Sequence, residues 1–498
     1  MVPERDSEHD RGTTGRDSKR LRVAIAGASG FVGRAIRREL KDDFDIVALT
    51  RRASASSRNE TDSEGVVWRT CDLFDDQSVS DAFTDVDIVI YLVHSMSPQS
   101  RLTQGGFIDL DLVLAHNVRR AADRAGVRRI VFLGGLDSDL DESRLSPHLA
   151  SRREVGIVLK SGRAAFTELR AGLIIGRGGS SFRMLMRLIR RLPVMVLPRW
   201  TSTPTQPIAI ADVQRAVRIV LSDDERWIGG YDLGIPEELD YGTMIRRAAG
   251  CIGRSPVTIP VPISSPRIST LWIMLFSGEP GSLVIPLIAS LSTPTVARPN
   301  PLLDRLQESD MIGFETAISE ALADHGERED PRAIVRRRDR RVIHDLSLVR
   351  SIQRVAMPST PRPDRVSRSY WRWVGRLLPG LLRVKTEIDD EGRVAGAEIS
   401  LLGCASLLVL KRDDSRCDEE LETLSIVSGL LVRRNSPTNG RFEFRTIRCR
   451  GVVVTALQNF APSLPWFVYQ WSQAIVHRIV MWGFSRWLRR NPDVIDGE

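Results

Sequence analysis

Cysteine is scarce in this chain of 498 residues, which has five in all and no Cys-x-x-Cys pair. Their wide spacing argues against a zinc site and against a disulfide framework, so we expect no bound metal and a reducing compartment. An apolar segment that could serve as a signal peptide is also missing, because residues 1–20 are polar and charged. The sequence therefore predicts a disordered leader over 1–20 and a cytoplasmic protein.

Acidic residues are too few to balance the basic ones, since 63 Asp and Glu face 71 Lys and Arg, for a net charge of +8. A basic surplus is typical of proteins that bind nucleic acid or anionic membranes. The basic residues are spread along the chain, however, and the densest run, 336–341, falls in a linker-like stretch. We read that run as a solvated linker and expect no nucleic-acid partner.

Short apolar runs alternate with amphipathic segments over residues 21–135, which predicts a parallel sheet with helices on both faces. The predicted strands are 21–28, 44–49, 66–70, 86–93, 129–133 and 166–175, with helices at 31–40 and 107–125. The expected fold class is therefore α/β, with a Rossmann-type doubly wound sheet inside a domain that spans 21–325. Residues from about 181 to 325 have fewer strands and more turns, and we expect them to form a small substrate-covering lobe.

The last third of the chain has a different pattern. Charged residues and closely spaced prolines predict a linker over 326–365. Six β-rich runs follow, at 382–388, 396–401, 406–411, 423–432, 442–447 and 452–457. An aromatic, helical tail over 462–490 completes what we predict to be a separate α+β domain at 366–490.

A glycine-rich turn, GASGFVG, occupies residues 27–33 and matches the Gly-x-x-Gly-x-x-Gly form of the dinucleotide fingerprint. In that motif the first glycine permits a tight turn, the second lets the backbone approach a pyrophosphate, and the third allows close packing of helix on strand. Because the turn follows a predicted strand and opens a predicted helix, we predict a dinucleotide site. Its residues are Gly27, Ser29, Gly30, Phe31, Val32 and Gly33.

The acidic residue that would bind a ribose 2′-hydroxyl is absent after the second strand, where Arg51 and Arg52 stand instead. A carboxylate about 4 Å from a 2′-phosphate would repel it by some 4 kcal/mol per charge at an effective dielectric near 20. Two arginines would attract that phosphate and could bind it through forked hydrogen bonds. The sequence thus favours NADP(H) over NAD(H), with a solvated basic loop as the alternative.

Further phrases resemble the atypical, NmrA-like short-chain dehydrogenase/reductase superfamily. They are CDL at 71–73, YLVHSM at 91–96, LGG at 133–135, SPHLASR at 146–152, LPVM at 192–195 and PTQPI at 204–208. The resemblance is strongest to bacterial NAD(P)-binding proteins that carry an extra C-terminal domain of unknown function. It covers about residues 21–325 and extends more loosely over 365–490.

The resemblance implies roles for residues at the carboxyl ends of the parallel strands, where ligands of open α/β sheets bind. Asp72 and Leu73 would contact the adenine, with the carboxylate accepting from the amino group. Near the ribose and nicotinamide it places Leu92, Val93, His94, Gly134 and Gly135.

The catalytic pair of the superfamily, Tyr-x-x-x-Lys, is replaced in this chain. The matching positions hold His148 and Arg152. Arginine could supply the charge of the missing lysine, and histidine, with a reference pKa of about 6.5, could move a proton near neutral pH. The alternative is a helix-start histidine without chemistry, since Pro147 before it suits a first helical turn.

The C-terminal tail is rich in aromatic residues and carries several arginines. We predict a core helix over Trp466–Trp487 that packs on the β-rich domain and buries its tryptophans. The alternative is an interfacial helix that makes peripheral contact with a membrane, because aromatic residues alternate with Arg478 and Arg486. An arginine in mid-segment opposes a spanning helix.

Three functions are compatible with these patterns. The first is an NADP(H)-dependent oxidoreductase or epimerase that acts on a small or lipophilic substrate, and the second is a non-catalytic dinucleotide sensor or scaffold. The third is a lipid- or membrane-associated protein whose aromatic domain carries the function. Neither the substrate nor the oligomeric state is indicated by the sequence.

Overall fold

The computed structural model describes most of the chain apart from its two ends and several internal segments. The described residues are 20–51, 59–95, 103–137, 141–223, 226–262, 266–279, 281–324, 349–357, 359–433, 440–464, 469, 471 and 473–491. The predictions for the leader residues 1–19, for Arg52 and for Trp466 lie outside them.

The elements are numbered in chain order. The strands are Arg22–Ala26 (β1), Asp45–Thr50 (β2), Asn59–Thr61 (β3), Val67–Thr70 (β4), Ile88–Tyr91 (β5), Thr103–Gln104 (β6), Arg129–Gly135 (β7), Ala165–Ala171 (β8), Ile174–Ile175 (β9), Val194–Pro198 (β10), Pro204–Thr205 (β11), Ile208–Ala209 (β12), Gly229–Leu233 (β13), Leu239–Asp240 (β14), Val257–Val261 (β15), Val349–Ala356 (β16), Leu382–Ile388 (β17), Val394–Leu401 (β18), Ala405–Arg412 (β19), Leu421–Ser428 (β20), Arg441–Ile447 (β21) and Val452–Phe460 (β22). The α-helices are Phe31–Leu40 (α1), Asp76–Ala82 (α2), Phe107–Ala125 (α3), Pro147–Lys160 (α4), Ser180–Arg191 (α5), Ile210–Ser222 (α6), Tyr241–Gly250 (α7), Pro266–Ser277 (α8), Gly281–Ser290 (α9), Pro301–Gln307 (α10), Phe314–Ala323 (α11), Pro363–Val374 (α12) and Gln473–Arg490 (α13).

The first large sheet has the order β13-β8-β7-β5-β1-β2-β4-β3, and every pairing is parallel except that of β3 with β4. Its central strands are near-continuous apolar runs, as expected where both faces of a sheet are covered. The chain order reverses between β1 and β5. The predicted Rossmann-type doubly wound sheet is therefore confirmed, and its carboxyl edge at this switch point is where ligands of such sheets bind.

A lobe built from β9 to β12, β14, β15 and helices α5, α7, α8, α9 and α11 lies at the carboxyl ends of β7 and β8, whereas α6 and α10 pack in the core of the parallel sheet. Its strands form three two-stranded sheets, β10 with β15, β11 with β14, and β12 with β9. Apolar residues of α5, α7, α8, α9 and α11 pack together and form the core of the lobe. The substrate-covering role that the sequence predicts for residues from about 181 to 325 stays a prediction.

The second large sheet has the order β17-β18-β19-β20-β21-β22-β16-β6. The pairings from β17 to β16 are antiparallel, and the six predicted β-rich runs all fall on its strands. The predicted C-terminal α+β domain is therefore confirmed as a fold. Strand β6 comes from the N-terminal part of the chain and pairs in parallel with β16, so the two parts share a sheet edge.

Strand β16 falls inside the segment 326–365 that the sequence predicts as a linker. Its buried apolar residues Val349, Ile352 and Val355 recur every three residues, and the usual period of two for a strand is absent. The cause is that both faces of the strand are covered: Ile352 packs in the apolar cluster of the N-terminal domain, whereas Val349 and Val355 pack in the aromatic core of the C-terminal domain. This break in alternation hid the strand from pattern analysis.

One face of the antiparallel sheet carries α12 and α13, whose side chains share an aromatic core with it. The opposite face packs on the N-terminal domain. There Ile352, Ile447, Val452, Val454 and Ala456 belong to the same apolar cluster as residues of α3 and the parallel sheet. The C-terminal domain is thus a layer laid against the Rossmann-type domain.

Ion pairs cross this contact from α2, α3 and α4. Arg120 Nη1 lies 2.6 Å from Asp418 Oδ1, and Arg354 Nη2 lies 2.8 Å from Glu154 Oε2. Although burial alone would raise it, the nearby Arg120, Arg445 and Arg124 hold the pKa of Asp76 well below its usual range. Arg120, Asp76 and Glu154 are largely withdrawn from water, and Arg120 and Glu154 each have a partner in the facing layer.

Arg445 is the most completely buried of these charges, with no exposed surface on its side chain. Its guanidinium donates to Glu443 Oε2, over 2.7 Å from Nη2, and across the contact to Asn117 Oδ1 on α3, over 2.5 Å from Nη1. The buried cation therefore joins its own strand to a helix of the other domain.

We predict that Arg445→Ala lowers the free energy of unfolding by about 3 kcal/mol, because it removes the shorter of two ion pairs of the buried Glu443 and leaves that carboxylate only Arg441 Nε, at 3.4 Å. The matched control is Arg448→Ala, since Arg448 is half exposed and lies 3.6 Å from the exposed Glu419. That change should cost about 0–1 kcal/mol. Urea titration followed by circular dichroism measures both, and equal losses would contradict the prediction.

The C-terminal helix departs from its prediction. Trp471 and Trp482 are 78% and 59% exposed, so the expected burial of the tail tryptophans is wrong for these two. Burial holds on the other side of the helix, where Phe484 and Leu488 lie in the core. Apolarity on almost every face suggested burial, whereas only one face of α13 reaches the sheet. None of the described helices is long and apolar enough to cross a bilayer.

Candidate functional site

The glycine-rich turn joins β1 to α1 at the centre of the parallel sheet. Gly27 has φ +94, which a residue with a side chain rarely adopts, and its carbonyl accepts from Gly30 N over 3.0 Å. A Cβ on Gly33 would lie 2.3 Å from Gly27 O, so only glycine permits this approach of helix to strand. The first and third glycines thus have the geometry that the fingerprint requires.

The N-terminus of α1 is suited to an anion. Gly30 caps the helix without a side chain, and its first turn holds no acidic residue. Backbone N–H groups and the helix dipole favour negative charge at such an end, each contact by about 0.3–1 kcal/mol. The residues of the turn therefore fit the pyrophosphate of a dinucleotide.

Phe31 of the fingerprint packs against a second glycine-rich loop that sequence analysis missed, at residues 176–179. A Cβ on Gly176 would lie 2.7 Å from Phe31 Cζ, and one on Gly179 would lie 3.1 Å from Phe31 Cε1. The loop follows β9 and sits beside the turn. The signal in the sequence was its cluster of glycines, which has no recognisable spacing.

The expected adenine end holds a partner from the C-terminal domain. Asp72 Oδ1 accepts from Phe74 N over 3.2 Å, and Asp72 Oδ2 accepts from the guanidinium of Arg350 on β16. That guanidinium also lies 4.4 Å above the Phe74 ring. Arg350 was missed because it is far from Asp72 in sequence and falls in the predicted linker. Arg51 is exposed near the end of β2.

Arg152 joins the ends of two neighbouring strands. Its guanidinium donates to the carbonyls of Val93, over 2.9 Å, and Leu133, and lies 4.5 Å above the Phe132 ring. The side chain is almost wholly buried, and burial lowers its pKa, opposed by Asp111. The structure thus shows that Arg152 links two strand ends, and its predicted role in place of the superfamily's lysine stays a prediction.

His94 and His148 are brought together, since their rings stack with centroids 5.1 Å apart. His148 Nδ1 lies 3.3 Å from Ser290 Oγ on α9. Ser290 Oγ also lies 2.9 Å from Pro286 O and 2.8 Å from Ser146 Oγ; when its hydrogen is directed at Pro286 O, it accepts from His148 Nδ1–H, and Nε2 of His148 is then an acceptor. Leu92 packs on Gly27 beside this pair.

Both imidazoles are neutral at physiological pH. Burial, with a further contribution from the positive charge of Arg152, lowers the pKa of His148 to about 3. The same two causes hold the pKa of His94 well below its usual range. A neutral histidine can orient a substrate by hydrogen bonding, but at this pKa it is a weak base.

Asp111, a buried carboxylate on α3, binds the residue after His94 and the helix that carries His148. Asp111 Oδ1 accepts from Ser95 N over 2.9 Å, and Oδ2 accepts from Ser151 Oγ over 3.1 Å. Burial raises the pKa of Asp111, although Arg152 opposes that shift. Asp111 and Ser151 were missed, since a lone acid and a lone serine within helices carry no motif.

The glycines at the end of β7 leave room for neighbouring side chains. A Cβ on Gly134 would lie 2.6 Å from Glu168 Oε1, and one on Gly135 would lie 3.1 Å from Leu149 Cδ2. Burial raises the pKa of Glu168 to about 7. A side chain at position 134 would therefore have to displace the carboxyl group of Glu168.

An apolar cavity of about 150 Å³ lies between this strand end and the lobe. Its wall includes Gly135, His148, Met184, Leu188, Trp200 and Tyr241. The cavity therefore begins at the expected nicotinamide end and continues under the lobe. It suits an apolar group that displaces water.

The low pKa of His148 makes stability depend on pH. The unfolded histidine takes up a proton near pH 6.5 and the folded one only near pH 3, so stability is present above 6.5 and falls towards 3. We predict that His148→Gln removes about 1.4 kcal/mol per pH unit from this slope. Denaturant titrations between pH 4 and about 7 measure it.

The matched control is His9→Gln, in the predicted disordered leader, which should leave the slope unchanged. An unchanged slope for His148→Gln as well would show that His148 protonates normally in the folded protein.

Residues 27–174 match a family model described as NAD(P)H-binding. Among related proteins, an uncharacterised Mycobacterium tuberculosis protein is 26% identical over 245 residues, which is 49% of this chain and 24% of that protein. An L-arabinose 1-dehydrogenase (NAD(P)(+)) of Haloferax volcanii is 29% identical over 111 residues, 22% of this chain and 39% of that protein. The auxiliary protein GraX of Staphylococcus aureus is 25% identical over 114 residues, 23% of this chain and 36% of its own. The matches thus span well under half of each relative.

Two solved structures resemble the chain in shape. A triphenylmethane reductase of Citrobacter sp., complexed with NADP(H), has a TM-score of 0.47 and 17% identity and covers 60% of this chain and 99% of its own. A nucleoside-diphosphate-sugar epimerase from Staphylococcus aureus has a TM-score of 0.45 and 17% identity, with 60% and 100% covered. At these values the resemblance supports no conclusion about activity.

Proposed function

We propose that this chain, whose N-terminal part is an NAD(P)H-binding domain of the atypical, NmrA-like short-chain dehydrogenase/reductase type, is an NADP(H)-dependent oxidoreductase acting on an apolar substrate. The observation that carries the proposal is the cavity that begins at Gly135 and His148 and runs under the lobe. A cofactor domain joined to an apolar chamber is the arrangement that such a reaction needs.

The residues present fit the cofactor at each end. The 27–33 turn and the uncapped end of α1 would hold the pyrophosphate, with Asp72 and Leu73 at the adenine. Leu92, Val93 and His94 would border the ribose and nicotinamide side, next to the strand-end glycines. When bound, the nicotinamide supplies or accepts the hydride.

The protein's own contribution to the reaction would be to orient the substrate and keep water out. His148 Nε2 would accept a hydrogen bond from a substrate hydroxyl, while Ser290 holds the ring through Nδ1. Arg152 acts as a positioning residue, because it fixes the strand ends that carry Val93 and Leu133. The lobe covers the cavity with apolar side chains.

A second candidate, a non-catalytic dinucleotide sensor, is favoured by two observations. The pKa of His148, lowered to about 3 by burial and Arg152, makes it a weak base. The guanidinium of Arg152 donates to two backbone carbonyls, which occupies N–H groups that a catalytic cation would need for a ligand. Turnover of NADPH with lipophilic carbonyl compounds separates the two functions.

The cofactor preference is tested with Arg51 and Arg52. We predict that NADPH binds more tightly than NADH, and that Arg51→Asp with Arg52→Ala weakens NADPH binding about tenfold or more. The control is Arg163→Asp, which changes the charge of an exposed residue outside the fingerprint and should have no effect. Calorimetry with both nucleotides provides the measurement, and equal affinities in the parent protein would refute the preference.

The role of His148 is tested by turnover. If a lipophilic substrate is converted, His148→Ala should lower kcat by about 10²-fold and leave NADPH affinity nearly unchanged. Met184→Trp, which fills the cavity, should instead prevent substrate binding while the cofactor still binds. A near-normal rate in His148→Ala would remove that residue from the reaction, and turnover that Met184→Trp leaves intact would place the substrate elsewhere.

A further inference from the structure

Helix α13 leaves an apolar stripe uncovered on the surface of the C-terminal domain. Trp471, in helical conformation two residues before α13, and Ile475, Ile479 and Trp482 of α13 recur at intervals of four, four and three residues, a spacing that places them along one side of a helix. All four are exposed, and Trp471 is the most exposed of them. We call these residues the exposed stripe.

The stripe is not needed for the fold of the domain. The opposite side of the helix supplies Met481, Phe484 and Leu488 to the core, where Phe484 lies 5.0 Å from the Tyr370 ring. When a helix packs through one side and exposes large apolar groups on the other, the exposed side is of the kind that binds a partner or a membrane. Two uncovered tryptophans are more than scattered surface hydrophobes.

Positive charge borders the stripe on the same helix. Arg478, Arg486, Arg489 and Arg490 are all exposed, and no Asp or Glu lies between positions 471 and 490. The Arg486 guanidinium lies 5.5 Å from the Trp482 ring. None of the four arginines forms an ion pair with a described residue, so their charge is open to an external anion.

We propose that the exposed stripe docks in the plane of an anionic lipid bilayer. Tryptophan partitions to the boundary of headgroups and acyl chains, and arginines beside it would meet lipid phosphates. A helix of 18 residues is about 27 Å long and can lie flat in that boundary. This contact is independent of the proposed enzymatic function.

A second copy of the chain is a poorer occupant of this surface. Two-fold pairing through the stripe would bring Arg478 and Arg486 of one copy close to the same arginines of the other. No acidic residue of the helix is available to offset their repulsion. A negatively charged bilayer complements both the apolar and the basic parts of the surface.

The test is co-sedimentation of the full chain with vesicles of phosphatidylglycerol and phosphatidylcholine in equal parts, and with pure phosphatidylcholine. We expect strong binding to the first and weak binding to the second. Trp471→Ser with Trp482→Ser should weaken binding about tenfold or more. Arg478→Glu with Arg486→Glu should weaken it by at least roughly 30-fold at low salt.

Leu430→Ser is the matched control, because Leu430 is equally exposed on another part of the domain, and it should bind like the parent. Melting temperatures check that each variant is folded. Three results would overturn the proposal: no binding to either vesicle, binding that both double variants retain, or a lipid-free dimer in sedimentation velocity that the tryptophan variant dissolves.

Discussion

Arg445 places a full positive charge out of water between the antiparallel sheet and helix α3. Such a charge is tolerated only with an opposite charge and hydrogen-bond acceptors in fixed positions, which Glu443 and Asn117 supply from the two layers. Displacing one layer would leave charges without partners, at a cost of several kcal/mol. The relative position of the two domains depends on this constraint, with Arg120 and Arg354 reinforcing it nearby.

The docked layer brings part of the C-terminal domain to the cofactor side of the molecule. Strand β16 lies at this contact, and its Arg350 reaches Asp72 while Arg354 reaches Asp109 and Glu154. The carboxylate expected at the adenine therefore already interacts with a cation from another domain. Asp72 therefore belongs both to the expected adenine position and to the contact between the two domains.

At the other end of the candidate site, one buried arginine affects both the position of the strand ends and the charge state of two histidines. Arg152 holds two strand ends in place and, by its charge, works with burial to keep His94 and His148 neutral. Arg152 donates to the carbonyls of Val93 and Leu133, so part of its guanidinium is already occupied by the backbone. The same side chain thus fixes the two strand ends and contributes to the low pKa of both histidines.

The local patterns of the sequence determined the architecture of this protein. Continuous apolar strands, the spacing of Gly27, Gly30 and Gly33, and six alternating runs predict the two sheets and the dinucleotide turn, because each depends on neighbours within a few residues. Only the tertiary structure decided what those elements meet. Arg350 at Asp72, His94 on His148, and the open side of α13 result from contacts between distant segments or from their absence. A one-dimensional pattern records which side chains are apolar, but the surface that covers them is set by packing.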